Sequence, residues 1–208
     1  MHCAIKGCVF DFGGVMTTVS APERVMPILR ELDVPWDVVK AGFSKYRALM
    51  DADKMSIREM YARIFAEAGF DVQKPDVERI VVADMASFMY PNMKTLEWMR
   101  RVKAGGFKIG ILTNMSTELA ALIKAHFGDF ICLADAVVIS GEEGIYKPQR
   151  EIYDLMRERI ALPAESLCFI DDSTVNCAGA KDAGWNASIL FRNTEQAEHE
   201  FTELTGTR

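Results

Sequence analysis

Acidic, polar and basic side chains follow four short apolar segments of this chain of 208 residues. In chain order they are Asp11 with Gly13 and Gly14, Thr113 with Asn114, Lys147, and Asp171 with Asp172. A carboxylate beside a pair of glycines can attack an electrophile while backbone N–H groups approach the oxygens of that electrophile. A hydroxyl and an amide can donate hydrogen bonds to a phosphoryl oxygen, and two adjacent acids can hold a hard cation. Because Asp11 and a phosphate dianion repel each other, Mg²⁺ and Lys147 would offset that repulsion during phosphoryl transfer.

Short apolar runs bounded by polar or glycine residues are typical of buried parallel strands. Five such runs occupy residues 4–10, 107–112, 136–139, 167–170 and 187–191. Helical patterns at residues 116–127, 149–160, 175–183 and 194–204 alternate with the later runs. This alternation predicts an α/β fold with right-handed crossovers and a doubly wound, Rossmann-like parallel sheet. Since ligands bind at the carboxyl ends of the strands in such sheets, we expect the polar side chains to meet there.

The segment between the first two apolar runs is far longer than an ordinary crossover requires. It shows helical periodicity without a convincing strand from residue 22 to residue 90. Helices are predicted at residues 38–50, 57–68 and 77–89, and a further helix at 93–103 leads into the second strand. Ser56 with Glu59 forms the capping box of the second of these helices. We therefore expect residues 1–17 and 91–208 to form a core domain and residues 18–90 to form a helical cap over one end of the sheet.

The four segments resemble, in the same order, the four motifs of the haloacid dehalogenase-like superfamily. The matching residues are Cys8-Val9-Phe10-Asp11-Phe12-Gly13-Gly14-Val15, Gly110-Ile111-Leu112-Thr113-Asn114, Lys147-Pro148 followed by Ile152-Tyr153, and Phe169-Ile170-Asp171-Asp172 with Asn176, Ala180 and Gly184. Four motifs in order, each at a strand end, are far more specific than any one of them. The acid pair and the inserted helices look like the subgroup with an alpha-helical cap, and the resemblance spans nearly the whole chain.

The resemblance implies a Mg²⁺-dependent hydrolase of a small phosphorylated molecule. In such an enzyme Asp11 would attack the phosphoryl group and form an aspartyl-phosphate. The other carboxyl oxygen of Asp11, the Gly13 carbonyl and Asp172 would bind Mg²⁺. Asp171 would either bind the ion directly or hold one of its ligands.

The resemblance also implies which residues hold the phosphate. Thr113 and Asn114 would bind the transferring phosphoryl group, and Lys147 would pair with both Asp11 and the phosphate. The backbone beside Asp11, at Gly13 and Gly14, would approach the phosphate oxygens.

One position departs from the pattern of the phosphatases in this family. They usually carry a second Asp two residues after the nucleophile, which protonates the leaving group and then activates water, and Gly13 stands there in this chain. Losing a positioned acid/base typically costs about 10²–10⁴-fold in rate. The substrate could have a good leaving group, such as an acyl or anomeric phosphate. Alternatively, an acid of the cap such as Asp51 or Asp53 could replace the missing Asp, or the protein could lack phosphatase activity.

Two alternatives to a phosphatase therefore stay open. The dehalogenase branch of the family also lacks the second Asp, attacks carbon and needs no metal. Its first motif usually continues with Tyr-Gly-Thr, where this chain has Gly13-Gly14-Val15. A non-catalytic member that binds a ligand without turnover is the other alternative, because Gly13 has no proton to give. Some phosphatase-like relatives begin with Asp-x-Gly-x-Val, so a phosphatase is the leading hypothesis.

Composition limits the partners of the protein. The net charge of −6 argues against nucleic acid, because phosphate backbones bind clusters of Lys and Arg. No apolar run approaches the roughly 20 residues of a membrane span, and no leader peptide is visible. The five cysteines lack metal-site or redox spacing, and we expect Cys8 and Cys168 to be buried free thiols. These features predict a cytoplasmic protein with a small-molecule phosphate as its partner, and they leave the oligomeric state open.

Overall fold

The computed structural model describes residues 5–18 and 21–206 of the chain. Residues 1–4, 19–20 and 207–208 lie outside this part. They include Cys3, the predicted first residue of the first strand (Ala4) and the start of the segment considered for a leader. The strands are β1 (Gly7–Phe10), β2 (Lys108–Thr113), β3 (Ala136–Ile139), β4 (Leu167–Asp171) and β5 (Ala187–Leu190). They form one sheet in the order β3-β2-β1-β4-β5, with every neighbouring pair parallel. The predicted doubly wound α/β fold is therefore confirmed.

Every predicted helix is present in the described part within a few residues at each end, and three further helices occur. The helices of this part are α1 (Ala21–Glu31), α2 (Trp36–Asp51), α3 (Ile57–Glu67), α4 (Lys74–Ser87), α5 (Met93–Ala104), α6 (Thr117–His126), α7 (Gly128–Ile131), α8 (Ser140–Glu143), α9 (Arg150–Ile160), α10 (Thr174–Asp182) and α11 (Thr194–Thr205). A short 3-10 turn at Ala164–Ser166 precedes β4. None of the helices within residues 5–18 and 21–206 is long and apolar enough to span a membrane.

Three short or irregular helices had no separate prediction. Helix α1 contains Pro22 near its start and Pro27 in its interior, and prolines weaken the periodic pattern that indicates a helix. Packing of its apolar face, which buries Val25 and Leu29, holds it in the helical conformation. Helices α7 and α8 have four residues each, which is too short for a helical period to be recognised.

The two faces of the sheet are covered by different helices. Cys8 and Phe10 of β1 belong to the apolar cluster that β1 shares with α5, α6 and α11, and Phe10 packs edge-on against Trp98 at 5.2 Å between ring centroids. Val9 points to the opposite face and belongs to the cluster formed with α9 and α10. Because successive side chains of a strand alternate between faces, β1 is apolar along its whole length. This double burial holds β1, and with it the start of the following loop, at the centre of the sheet.

Helices α1 to α4 have an apolar cluster of their own. Met60 and Phe65 of α3 lie at its centre and are almost completely buried. Ser56 caps α3 as predicted, since the Glu59 N–H donates to Ser56 Oγ at 3.1 Å, while the Glu59 carboxylate accepts from Arg63. The division of the chain into a core of residues 1–17 and 91–208 and a cap of residues 18–90 stays a prediction.

The chain leaves the sheet and returns to it through two adjacent segments. Thr17 pairs with Pro91 in an isolated antiparallel bridge, and the Asn92 N–H donates to the Met16 carbonyl at 2.8 Å. These bonds fasten the inserted helices just beyond the carboxyl end of β1. The chain runs outward from β1 to β2 and β3 and then crosses to β4 and β5, so the strand order reverses at β1. Such a reversal leaves a crevice at the carboxyl ends of the central strands, where ligands bind.

Candidate active site

A pocket of about 460 Å³ lies between the carboxyl ends of the strands and helix α2. The predicted site residues that line it are Asp11, Gly13, Thr113, Asn114, Lys147 and Asp172. The other two predicted residues, Gly14 and Asp171, lie outside this lining. The parallel register explains the convergence, because β1 pairs with both β2 and β4 and their carboxyl ends therefore meet.

The ammonium group of Lys147 lies between two carboxylates. Its Nζ is 2.9 Å from Asp11 Oδ1 and 2.7 Å from Asp171 Oδ2. It donates a further hydrogen bond of 3.0 Å to the Leu112 carbonyl. Burial alone would lower the pKa of Lys147, but Asp11 and Asp171 raise it above its ordinary value. The lysine is therefore a fixed positive charge beside the predicted nucleophile.

Asp11 directly follows β1, and its Oδ1 accepts a hydrogen bond of 2.7 Å from the Phe12 N–H. Burial raises the pKa of Asp11 to about 7, while the positive charge of Lys147 opposes this rise and the negative charge of Asp171 adds to it. A cation beside this carboxylate would favour its ionised form.

Asp171 is the last residue of β4 and is fully buried. Its Oδ1 accepts from the Ser173 N–H at 2.8 Å and from Asn176 Nδ2 at 3.1 Å. Its Oδ2 accepts from Lys147 Nζ at 2.7 Å and from Asn176 Nδ2 at 3.1 Å. Since donors occupy both oxygens, Asp171 is better placed to hold Lys147 than to bind an ion directly. Direct binding of the ion by Asp171 stays a prediction.

The side chain of Asn114 makes hydrogen bonds that the sequence did not predict, while its contact with phosphate stays a prediction. Its Oδ1 accepts from the Lys147 N–H at 2.8 Å, and its Nδ2 donates to the Lys147 carbonyl at 2.9 Å and to Asp51 Oδ2 at 3.0 Å. Both N–H groups of the amide are thus engaged, and a bond to a phosphoryl oxygen would require Asp51 to give up its bond. Asn114 lines the pocket, but its bonds position the loop of Lys147. Thr113 is buried at the end of β2 and lines the same pocket, and its role as a phosphoryl ligand stays a prediction.

The carboxylates of the site fit a divalent cation. One oxygen each of Asp11, Asp171 and Asp172 lies within 4.8 Å of the other two. Carboxylate oxygens are hard ligands of the kind that Mg²⁺ binds in proteins. When all are ionised, three carboxylates face a single ammonium, and a divalent cation would balance the excess. Asp11 and Asp172 line the pocket and are open to such an ion, whereas a ligand role of the Gly13 carbonyl stays a prediction.

Gly14 brings the backbone close to Asp172. Its φ is +76°, and a Cβ built at this position would lie 2.3 Å from Asp172 Oδ2. Glycine suits both requirements, because it adopts positive φ without strain and leaves room for a neighbouring group. Gly14 therefore places Asp172 beside the loop of Asp11, while its contact with phosphate stays a prediction.

The two cap acids considered as replacements for the missing Asp have different surroundings. Asp51, the last residue of α2, lines the pocket. Asp53 lies outside the lining, since its carboxylate accepts from the Thr117 N–H at 3.1 Å and from Thr117 Oγ1 at 2.7 Å. Those bonds cap the first turn of α6 and turn Asp53 away from the site.

Sequence reasoning missed Arg47, Phe88, Met115 and Val175, which also line the pocket. Arg47 could have been found, because it stands four residues before Asp51 and that spacing puts the two side chains on one helix face. Arg47 Nε donates to Asp51 Oδ1 at 2.7 Å. The apolar residues carry no comparable signal, since their side chains are indistinguishable in sequence from those of the core.

A buried aspartate–lysine pair at the reversal point of a doubly wound sheet, facing an inserted set of helices, defines a class of α/β hydrolases. The model of the haloacid dehalogenase-like hydrolase family matches residues 5–184, and the chain belongs to this family.

Relatives of the chain include both dehalogenases and a phosphatase. It is 26% identical over 211 residues to (S)-2-haloacid dehalogenase 4A of Burkholderia cepacia, with 97% of this chain and 89% of that protein covered. It is 27% identical over 212 residues to phosphatase MT3486 of Mycobacterium tuberculosis (strain CDC 1551 / Oshkosh), with 97% and 94% covered. Among solved structures, the magnesium complex of a HAD family enzyme of Bacteroides thetaiotaomicron has a TM-score of 0.71 at 18% identity, with 96% of this chain and 99% of that chain covered. The same enzyme is known in complex with magnesium and inorganic phosphate.

Proposed function

We propose that the chain is a Mg²⁺-dependent phosphatase that hydrolyses a small phosphorylated metabolite through an aspartyl-phosphate on Asp11. The proposal rests on the convergence of oxygens of Asp11, Asp171 and Asp172 within 4.8 Å beside Lys147. Such a set suits a divalent cation together with a dianionic phosphoryl group better than it suits a neutral carbon centre. The phosphatase of M. tuberculosis and the magnesium complex of the B. thetaiotaomicron enzyme support the same reaction and the same ion.

Each residue of the site has a distinct role in this reaction. Asp11 attacks phosphorus, and the new P–O bond forms as the bond to the leaving group breaks. Lys147 holds Asp11 in place and brings positive charge to the oxygens that gain charge. The Thr113 hydroxyl is available to donate to a phosphoryl oxygen. Mg²⁺ held by Asp11, Asp172 and the Gly13 carbonyl would offset the repulsion between Asp11 and phosphate.

We infer that residues 18–90 act as a cap domain over a core of residues 1–17 and 91–208. The separate apolar cluster of α1 to α4 supports this division. The pocket supports it as well, because Arg47 and Asp51 of α2 line it together with residues at the strand ends. A volume of about 460 Å³ suits a small molecule enclosed between the two parts.

Metal-independent haloacid dehalogenation is a second candidate function. The similarity to the dehalogenase of B. cepacia over 97% of this chain favours it, as does the absence of an acid at Gly13. In that case Asp11 would attack the carbon that bears the halogen, and Asp172 would have no ion to hold.

The test compares phosphate and halide release by the same preparations. We expect the wild type to release phosphate from an aryl phosphate with Mg²⁺, and EDTA or Asp11→Asn to abolish the release. The matched control is Asp37→Asn, which removes a carboxylate from the exposed face of α2, where the Asp37 side chain is 85% exposed. Equal rates for wild type and Asp11→Asn would contradict the proposal. Halide release from a 2-chloro acid in EDTA would support the dehalogenase, and Mg²⁺ binding without turnover would support a non-catalytic member.

A further inference from the structure

Gly13 leaves the proposed phosphatase without the acid that usually stands two residues after the nucleophile. Among the described residues, the carboxylates that line the pocket are those of Asp11, Asp51 and Asp172. Asp11 is the nucleophile, and Asp172 stands beside it in the cluster suited to a cation. Asp51 is therefore the pocket carboxylate that has no role in the proposed reaction so far. It is the last residue of α2, in the inferred cap, and it reaches Asn114 at the end of β2.

The Asp51 carboxylate is held in a defined orientation. Arg47 Nε donates to Oδ1 at 2.7 Å, and Asn114 Nδ2 donates to Oδ2 at 3.0 Å. The same amide group donates to the Lys147 carbonyl at 2.9 Å. Asn114 thus ties Asp51 to the residue that pairs with Asp11. A carboxylate held in this way meets the positional requirement for proton transfer more directly than a mobile surface acid does.

A purely structural role explains Asp51 less well than it explains its neighbours. Asp53 caps α6 through Thr117 and lies outside the pocket. Asp84 accepts from the Tyr61 hydroxyl at 2.9 Å inside the cap and also lies outside the lining of the site pocket. Asp51 borders the pocket but is only 5% exposed. Burying a carboxylate has a free-energy cost, because the group loses its hydration. A buried carboxylate beside a pocket often takes part in the reaction that occurs there.

We propose that Asp51 is the acid and base that replaces the missing Asp of the first motif. This inference rests on the proposed phosphatase function. In the first step, protonated Asp51 gives its proton to the leaving-group oxygen as the bond from that oxygen to phosphorus breaks and Asp11 binds phosphorus. In the second step, the Asp51 carboxylate takes a proton from a water whose oxygen attacks phosphorus, so phosphate leaves and Asp11 and Asp51 return to their starting forms.

The environment of Asp51 supports this cycle. Burial raises the pKa of Asp51, and the positive charges of Arg47 and Lys147 offset part of the rise. An acid with a raised pKa holds its proton at a higher pH and releases it less readily to bulk water. Arg47 and Asn114 are positioning residues in this scheme, because they act on the substrate through Asp51.

The test uses leaving groups that differ in their need for a proton. For Asp51→Asn we expect kcat/KM for ethyl phosphate to fall by about 10²–10⁴-fold, because an alkoxide leaves poorly without a proton. We expect kcat/KM for acetyl phosphate to fall by less than about fivefold, because its leaving group needs no proton.

Hydrolysis of the aspartyl-phosphate, the second step, needs its own measurement, because kcat/KM reports only the steps up to formation of that intermediate. Acid-quenched Asp51→Asn should carry phosphate on Asp11, detected by intact mass, where the wild type carries little.

The ratio between the two substrates guards against folding artefacts. A misfolded fraction lowers both values equally and leaves their ratio unchanged. Asp53→Asn is the matched control, since it removes an acid two residues away and should leave the ratio at the wild-type value. Equal losses for both phosphates in Asp51→Asn would overturn the inference while leaving the phosphatase function intact. If the wild type hydrolyses neither phosphate, the proposed function fails and this inference fails with it.

A smaller cavity of about 70 Å³ adjoins the site pocket and carries a separate inference about the substrate. Arg47, Asp51, Phe88, Asn114 and Met115 line both spaces, and Asp84 and Ser116 add polar groups to the small cavity alone. The apolar part of the small cavity is formed by Phe43, Met50, Ile57, Met85, Phe88, Met115 and Leu119. Methionine side chains adapt to ligands of irregular shape, and an apolar wall next to a proton donor suits the carbon skeleton of a leaving group.

The geometry points to a substrate whose leaving group places a short apolar chain or ring in this small cavity. Like the role of Asp51, this inference rests on the proposed function. Along a series from methyl to butyl phosphate, we expect wild-type kcat/KM to rise by about fourfold for each methylene group that enters the cavity. Ile57→Trp, at a partly exposed position of the wall, should remove this rise, so that the ratio of kcat/KM for butyl phosphate to kcat/KM for methyl phosphate falls to about one. Hydrolysis with a flat series, or higher kcat/KM for sugar phosphates, would overturn the inference without touching the phosphatase function.

Discussion

The side-chain amide of Asn114 is hydrogen-bonded to both the backbone N–H and the backbone carbonyl of Lys147. The Lys147 N–H donates to Asn114 Oδ1 at 2.8 Å, and Asn114 Nδ2 donates to the Lys147 carbonyl at 2.9 Å. Asn114 directly follows β2, and Lys147 lies in the loop between α8 and α9, so this pair of bonds joins the end of β2 to that loop. The position of the Lys147 ammonium beside Asp11 therefore depends on the Asn114 amide. That amide is not hydrogen-bonded to Asp11 or Asp171, the two ionic partners of Lys147.

Removing that amide should disturb the site while leaving the fold intact. For Asn114→Ala we expect the free energy of unfolding to fall by about 1–3 kcal/mol, because buried backbone groups of Lys147 lose their partners. We expect phosphatase kcat to fall by about 10–100-fold, because Lys147 and Asp51 both lose a positioning bond. Urea unfolding and steady-state kinetics measure the two effects. Gln73→Ala, on the exposed surface of the cap, is the control and should change neither. A variant as active as the wild type would show that the amide does not position Lys147.

The acid pair should separate into two roles. Asp171 holds Lys147 and is fully buried, whereas Asp172 lines the pocket. Asp171→Asn should lower the free energy of unfolding by about 1–3 kcal/mol, because Lys147 keeps one of its two ionic partners. Asp172→Asn should leave stability nearly unchanged and weaken Mg²⁺ binding. Urea denaturation and calorimetric titration with Mg²⁺ distinguish these outcomes. Equal losses of Mg²⁺ affinity in both variants would instead make Asp171 a direct ligand.

The convergence of the strand-end residues could be predicted from sequence because each part of it has a local signal. A short apolar run ending at Asp11, Thr113 or Asp171 indicates a buried strand and predicts the residue at which that strand ends. The alternation of strands with helices then brings the carboxyl ends together. Helices α2, α3 and α4 of the inserted segment were predictable because their periodicity is also a local signal, and Ser56 marked the start of α3 within one residue.

The surroundings of individual site residues could not be predicted in this way. Whether the Asn114 amide faces a substrate or the backbone of Lys147, 33 residues away, depends on tertiary contacts that no local period encodes. The same holds for Asp51 and Asp53, which are two residues apart and face different partners because α2 ends between them. Helix α1 was missed because its prolines oppose local propensity and packing overrides them.

Gly14 should be intolerant of a side chain for a reason beyond its backbone conformation. Gly14→Ala introduces strain of about 1–2 kcal/mol at positive φ, and its Cβ would lie 2.3 Å from Asp172 Oδ2. We expect lower stability and, because Asp172 must move, weaker Mg²⁺ binding. Gly69→Ala is the matched control, since Gly69 has φ +80° with no heavy atom within 4 Å of the added Cβ. It should show the loss of stability alone, as measured by urea unfolding and Mg²⁺ titration. Unchanged Mg²⁺ affinity in Gly14→Ala would mean that Asp172 is not a ligand.

Asp84 should make the stability of the cap depend on pH. Burial raises the pKa of Asp84 to about 6, and the Tyr61 hydroxyl bond and the charge of Arg47 offset part of this rise. Because the folded-state pKa lies above the unfolded value near 3.8, the native state binds the proton more tightly. The free energy of unfolding therefore rises as pH falls from about 7 to about 4, and this contribution is lost as pH increases through about 6.

The Asp84→Asn substitution tests this linkage. Asn can accept the Tyr61 hydroxyl bond without carrying a charge, so we expect the variant to gain about 1–3 kcal/mol of stability at pH 7.5. The gain should shrink toward pH 4, where Asp84 is already protonated in the native state. Urea unfolding of the metal-free protein between pH 4 and pH 8 measures both curves, with exposed Asp71→Asn as the control. Parallel curves for wild type and Asp84→Asn would show that Asp84 is ionised in the folded protein throughout this range.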